Sequence, residues 1–302
     1  MIGTAQQAWL SLPGNARGAI WITVGTVFFA LNDVAVKTAG LTMHPLQLGF
    51  FRYSLGFILL MPLFYQLGWE DLKTERLGLH FLRAVIAGTG QIAVFYSVIH
   101  LMLADATSIS FSRPLFMTLL AVLILGEVVA WRRWVATAIG FIGVIIVARP
   151  GDGVIEPAAL IGLSAAFMFS IGLVLIRRLG SSEPPTRILF YYHGIGTILS
   201  LGPAIWVWKQ PVGQEWVMLL MIGIFTTVAM ICFVRGFVVG EVSVLGPMEY
   251  TRLVYAAILG YLVFAEIPVI WTWIGSAIIV ASAIYIARSE AFGRKSKPAE
   301  PD

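Results

Sequence analysis

Residues 18–37 read GAIWITVGTVFFALNDVAVK. This is an unbroken apolar run of about 20 residues, the length that crosses a hydrocarbon core of about 30 Å as an α-helix. Lipid offers no partner to a free backbone N–H or C=O, so a spanning segment must close its hydrogen bonds internally. Membrane strands would alternate apolar and polar residues, and this run does not alternate. The pattern recurs along the whole chain. Further runs are expected at about 45–66, 79–100, 104–126, 133–149, 157–176, 187–208, 215–236, 241–265 and 269–288.

Composition agrees with a bilayer as the solvent. Of the 302 residues, 59% are hydrophobic and 12% charged, and the mean hydropathy is +0.88. A soluble domain carries about 25% charged residues, and no soluble fold of this size buries such a surplus of apolar side chains. The net charge of +4 fits basic cytoplasmic loops, so no nucleic-acid partner is expected. One cysteine, Cys232, excludes an intrachain disulfide and a Cys-rich metal site. The first run follows Arg17 directly and has the length of a full span. It reads as a retained helix rather than a cleaved signal.

Loop charge sets the orientation. Arg17, Lys73, Arg76, Arg132, Arg133, Arg177, Arg178, Arg187, Arg235, Arg288, Arg294, Lys295 and Lys297 fall on one side, and Lys37, Arg149 and Lys209 on the other. This predicts a plasma-membrane protein of the bacterial inner-membrane type with both termini cytoplasmic. The expected division is a terminus at 1–17, a first five-helix unit at 18–149, a linker at 150–156, a second five-helix unit at 157–288 and a disordered tail at 289–302.

An internal repeat supports two units. A shift of 139 residues lays Phe111-Ser112-Arg113 on Tyr250-Thr251-Arg252, Gly126 on Ala265, Glu127 on Glu266, Trp134 on Trp273 and Arg149 on Arg288. Upstream of Phe111 the register needs a gap. Five helices per unit is an odd number, so the second unit enters the membrane upside down. The fold class is therefore all-α, with ten transmembrane helices in two inverted five-helix repeats. Inverted repeats characterise secondary transporters, which bind substrate near mid-membrane at the repeat interface.

Several stretches carry a family resemblance. They are Leu31-Asn32-Asp33-Val34-Ala35-Val36-Lys37, His44-Pro45 with Phe51-Arg52-Tyr53, Arg113-Pro114-Leu115-Phe116 leading to Leu125-Gly126-Glu127, and Phe264-Ala265-Glu266. In order and spacing they resemble the EamA-type permeases of the drug/metabolite transporter superfamily. The resemblance implies a central substrate cavity and transport of a small metabolite such as an amino acid, carboxylate or cofactor-like molecule. It implies no catalytic set and no cofactor. At the repeat position the Arg-Pro of the first unit becomes Arg252-Leu253.

Ionisable residues inside spans cost roughly 2.5–3.5 kcal/mol each on insertion scales and are functional candidates by default. Arg113 and Arg252 lie near mid-depth and form the core of the expected substrate site, joined by Glu249, Arg52, Ser112, Thr251, Tyr250, Gln91 and Phe111. The structural alternative is that Glu249, three residues before Arg252, neutralises it. Asp33 and His193 are coupling candidates. Asp33 alternatively forms an i,i+4 pair with Lys37 at the interface or partners Arg52. Arg83 is expected to snorkel, Asp105 to cap a helix, and Glu266 to mark the interface. Ala136 with Gly140, and Ala277 with Ala281, form small-residue faces for helix packing, within one protomer or in a homodimer. Two other functions compete. A membrane enzyme lacks a His-Glu-x-x-His or comparable set, and the four histidines are scattered over separate segments. A passive channel requires an open pore. No Walker A motif supports an ATP motor, and no metal site is expected.

Overall fold

A computed structural model describes residues 11–126, 129–148, 156–180, 182–240 and 245–295. Glu127, Arg149 and residues 150–155 of the linker lie outside the described residues, as do residues 1–10 and 296–302. The first half contains α1 (Gly14–Gly40), α2 (Pro45–Leu67), the short α3 (Trp69–Leu72), α4 (Leu77–His100), α5 (Leu103–Ser110), α6 (Arg113–Leu125) and α7 (Trp131–Ala148). The second contains α8 (Pro157–Gly180), α9 (Pro185–Trp206), α10 (Gln214–Val239), a 3-10 turn (Gly246–Tyr250), α11 (Thr251–Phe264) and α12 (Ile270–Lys295). Among the described residues, 9 helical stretches are long and apolar enough to cross a membrane, with α5 and α6 counted as one. The 3-10 turn and α11 add a further helical segment that is not among these nine.

Sequence chemistry explains where helices start. His44 accepts from the Leu46 N–H at 3.2 Å, and Pro45 opens α2; Pro185 opens α9 behind Pro184. A proline in the first turn forfeits no helical hydrogen bond and presets φ. α12 runs on through Lys295, past residue 288 where the sequence placed the start of a disordered tail. Extending a helix costs far less than nucleating one, and Ala287, Glu290, Ala291, Arg294 and Lys295 are all good helix formers.

The packing repeats itself when the halves are exchanged. α1 lies along α10 and α4 along α8; α11 rests on α1 and α6 on α8; α10 meets α2 and α9 meets α4. The pairs α2–α9 and α7–α12 map onto themselves. This is the contact pattern of a two-fold axis in the membrane plane relating two inverted five-helix units. The repeat also appears in backbone geometry. Gly126 (φ 66°) and Ala265 (φ 54°), 139 positions apart, both leave their helices in the left-handed conformation.

Upstream of residue 111 the register is 140. A Cβ built on Gly56 would lie 2.6 Å from the His193 ring, and one on Gly196 would lie 2.6 Å from the Tyr53 ring. A shift of 140 turns one contact into the other, as it lays His44-Pro45 on Pro184-Pro185. The missing residue is the gap the sequence required.

The α7–α12 contact is backbone on backbone. A Cβ on Gly143 would meet the Gly275 carbonyl oxygen at 2.8 Å, and a Cβ on Gly275 would meet that of Gly143 at 2.7 Å. Ala136 and Gly140 are buried as expected, but Ala277 and Ala281 are exposed. The packing face of α12 is instead Gly275, Ser276, Ile279 and Ser282, because the close glycine contact fixes which side of α12 turns inward.

Candidate functional site

Both fourth spans are broken before their arginine. α5 ends at Ser110 and α6 begins at Arg113, with Pro114 in its first turn; the 3-10 turn ends at Tyr250 and Thr251-Arg252 open α11. Ser112 Oγ donates to the Ile109 carbonyl at 2.7 Å, and Thr251 Oγ1 donates to the Met248 carbonyl at 2.7 Å. A shift of 139 superposes these two bonds. The hydroxyls of Ser112 and Thr251 therefore hold the breaks. Each arginine stands at the N-terminus of a half-helix at mid-span, the positive end of its dipole, the arrangement with which discontinuous helices face anionic groups. The rings of Phe111 and Tyr250, equivalent in the repeat, meet edge to face at 4.8 Å.

The aromatic floor under the arginines repeats too. Arg252 lies over the Phe29 ring at 5.3 Å and Arg113 over the Phe169 ring at 5.1 Å, and these phenylalanines are 140 positions apart. The counter-charges do not repeat. Arg252 Nη2 meets Asp33 Oδ2 at 2.6 Å. The position equivalent to Asp33 under the same shift is Leu173. The Arg113 guanidinium accordingly has no ion-pair or hydrogen-bond partner among the described residues, and its Nε is buried without one, while its backbone carbonyl accepts from Ser170 Oγ at 3.0 Å. It lies within electrostatic reach of Glu249, Arg252 and Asp33, with Glu249 the strongest charge acting on it. Glu249 is half-buried, and its carboxylate has no hydrogen-bond or ion-pair partner among the described residues.

Several expectations change here. Glu249 is not the neutraliser of Arg252; Asp33 is. Asp33 does not pair with Lys37. Lys37 is 9% exposed, enclosed by packed helices, and so it cannot reach the interface to snorkel. Its ammonium instead pairs with Glu266 and donates to the Leu101 carbonyl. Glu266 is thus more than an interface marker, since it also accepts the Leu103 N–H at 2.8 Å and caps α5. Asp105, in the first turn of α5, accepts from Thr272 Oγ1 at 2.6 Å and ties α5 to α12.

Arg52 does not join this group. It belongs with Arg83, Tyr53, Tyr192 and His193 between α2, α4 and α9. Arg52 lies over Tyr53 at 5.2 Å and Arg83 over Tyr192 at 4.4 Å, and the two tyrosine hydroxyls bond at 3.1 Å. Arg83 is 7% exposed and does not snorkel; its Nη1 donates to the Ile188 carbonyl at 3.4 Å. Both ring nitrogens of His193 are buried without a partner. Gln91 is buried in α4, and none of the described polar contacts links it to the arginines. Sequence reading missed Phe29 and Phe169; the 140-residue register is the signal that finds them.

The two halves are tied at both ends. On one side Lys37 meets Glu266, and Gln47 Nε2 donates to the Lys209 carbonyl at 2.7 Å while its Oε1 accepts the Lys209 N–H at 3.1 Å. On the other, Glu183 accepts from Thr74 Oγ1 at 2.6 Å and Arg187 Nη1 at 2.9 Å, with His80 Nε2 at 3.8 Å. Arg187 Nε also donates to the Asp71 carbonyl at 2.7 Å. Burial opposes charge on Glu183, but the hydrogen bonds from Thr74 and Arg187, with the Arg187 and His80 charges, outweigh it and hold its carboxyl below the usual range.

Comparison with known proteins places this geometry. Residues 16–149 and 156–288 each match the EamA-like transporter family. The S-adenosylmethionine uptake transporter of Rickettsia felis is 31% identical over 280 residues, covering 92% of this chain and 95% of its own. The riboflavin transporter of Vibrio cholerae is 30% identical over 281 residues, covering 91% and 94%. The pseudopaline exporter CntI of Pseudomonas aeruginosa is 25% identical, covering 90% and 96%. A crystal structure of 18% identity superposes with a TM-score of 0.62 over 92% of this chain and 99% of its own, which shows the shared fold. Two family matches that together cover nearly the whole chain, and relatives at 30% identity or above, make it a member of the EamA-like transporter family: a multi-pass small-metabolite permease, not an enzyme.

Proposed function

We propose that this permease moves a zwitterionic metabolite bearing an α-amino acid group across the bacterial inner membrane by alternating access, with S-adenosylmethionine the first candidate. One observation carries the reading. Symmetry gives Arg113 the setting of Arg252, helix N-terminus and aromatic floor included, but Leu173 replaces the carboxylate. The substrate's carboxylate supplies what the chain omits, gripped by two parallel guanidinium hydrogen bonds. Glu249 then takes the substrate's cationic end. Phe111, Tyr250 and Phe169 offer ring faces to a planar group. S-adenosylmethionine carries a carboxylate, an ammonium, a sulfonium and an adenine ring, and it is the molecule named for the relatives at 31% identity.

The units at 18–149 and 157–288 rock against each other, both termini facing the cytoplasm as loop charge favours. Asp33 is the favoured coupling residue, because a proton on it releases Arg252. His193 faces Arg52 and Arg83, and its ring has no carboxylate partner among the described residues.

The test is ligand stabilisation of the purified full chain in detergent. A ligand at 100 times its Kd stabilises the folded state by about 2.7 kcal/mol. S-adenosylmethionine should raise the thermal midpoint, and Arg113→Gln should abolish the rise without lowering the ligand-free midpoint. A rise of equal size in Arg113→Gln, or stabilisation only by solutes without a carboxylate, contradicts the assignment.

A further inference from the structure

A surface groove of about 490 Å³ lies between α7 and α12, away from the central arginines. Its walls are Trp131, Arg132, Val135 and Ile139 on α7, and Ser282 and Tyr285 on α12. Three polar groups in it are unclaimed. Arg132 lies over the Trp131 ring at 6.0 Å and has no hydrogen-bond or ion-pair partner among the described residues. Ser282 is 5% exposed, yet its hydroxyl has no hydrogen bond among the described residues; the same holds for the Tyr285 hydroxyl. Both hydroxyls line the groove and can donate to a ligand in it.

We propose that this groove binds one anionic phospholipid of the surrounding bilayer. The order of groups along the helices matches the order of groups along a glycerophospholipid. Arg132 lies in the first turn of α7, and Tyr285 is about 5 Å along α12 from Arg288 at 1.5 Å per residue. Ser282 lies about 9 Å from Arg288, and Ile139 about 12 Å from Trp131. The guanidinium takes the phosphate through paired hydrogen bonds, the Tyr285 and Ser282 hydroxyls donate to phosphate and ester oxygens, and Val135 and Ile139 carry an acyl chain. Trp131 and Tyr285 sit at headgroup level, where amphipathic aromatics are favoured. Basic pockets between helices on the cytoplasmic side suit such headgroups. A second copy of the chain fits the groove less well. None of the residues lining the groove is Asp or Glu, so a second copy seated face to face on it sets Arg132 against a lining that carries no anion. Placement in the inner leaflet rests on the orientation proposed above; binding itself does not.

Native mass spectrometry of the full chain with phosphatidylglycerol, phosphatidylcholine or inorganic phosphate tests the proposal, and it is independent of transport. Phosphatidylglycerol should be retained in preference to phosphatidylcholine by about fivefold or more, the value of one interfacial arginine. Arg132→Gln should remove the preference. Arg178→Gln, an exposed arginine outside the groove, should keep it. Ile139→Trp, which fills the groove, should lower retention of phosphatidylglycerol. No preference in the native chain, equal loss with Arg178→Gln, retention by inorganic phosphate alone, or a dimer that Ile139→Trp dissociates would each overturn it.

Discussion

Arg252 and Arg113 show how one residue type at equivalent positions acquires two roles. At Arg252 the Asp33 carboxylate offsets the burial of the guanidinium. Removing one partner of such a buried pair costs about 3–5 kcal/mol, because the other charge is left uncompensated. Arg252→Met should therefore lower the thermal midpoint strongly, and adding Asp33→Leu should restore much of the loss. Arg113→Met removes a guanidinium that has no partner among the described residues, so its midpoint should hold or rise while ligand binding fails. Equal destabilisation by the two single substitutions would show that Arg113 is paired after all.

Glu183 gives a pH signature at the same scale. Its folded-state value lies below its ordinary 4.5. A depressed carboxyl contributes stability above the unfolded value and loses it as pH falls through the folded value. The midpoint of the native chain should fall below about pH 4.5, and Glu183→Gln should flatten that part of the curve. A curve of unchanged slope in the variant would assign the acid sensitivity to other carboxyls.

Among the elements, helix positions were legible because lipid enforces them. A run such as 18–37 has no other stable conformation in hydrocarbon, and α1, α2, α4 and α7–α10 stand close to where the runs place them. The breaks before Arg113 and Arg252 were not read, since the apolar residues on either side of Ser110 to Pro114 let the whole run pass as one span. Pro114 and Pro247 were the available signals, each lacking the N–H that a continuous helix needs. The polar partners were harder still. Asp33 and Lys37 sit one turn apart, and sequence spacing makes them a pair. Only the packing of α11 and of the α4–α5 corner against α1 sends them to Arg252 and Glu266. Close helix contacts are similarly hidden until both sides are known. Gly143→Ala places a Cβ 2.8 Å from the Gly275 backbone oxygen, which cannot move aside as a side chain can. It should cost about 1–3 kcal/mol by overpacking, read as a lower thermal midpoint. Gly78→Ala, where nothing lies within 4 Å, is the control and should hold the midpoint or raise it slightly, since alanine favours the helix over glycine.

Across the whole molecule, the inverted repeat puts Phe111 against Tyr250 and Arg113 opposite Arg252 while polar ties join the halves at both ends. Rocking requires the ends to open alternately, so each tie should bias the equilibrium between the two open forms. Glu266→Gln weakens the Lys37 end and Glu183→Gln the other. The two should shift the accessibility of opposite faces to a membrane-impermeant thiol reagent, read on single cysteines placed in a Cys232→Ala background. Shifts to the same side would mean that the ties do not act as gates.

Arg113 is the group proposed to receive the substrate carboxylate. Its most direct test is uptake of radiolabelled S-adenosylmethionine into proteoliposomes containing the native chain, Arg113→Gln or Arg113→Lys. Saturable uptake by the native chain, lost in Arg113→Gln and partly retained in Arg113→Lys, is the predicted result. Native-like flux through Arg113→Gln, with the protein inserted and folded, would contradict it.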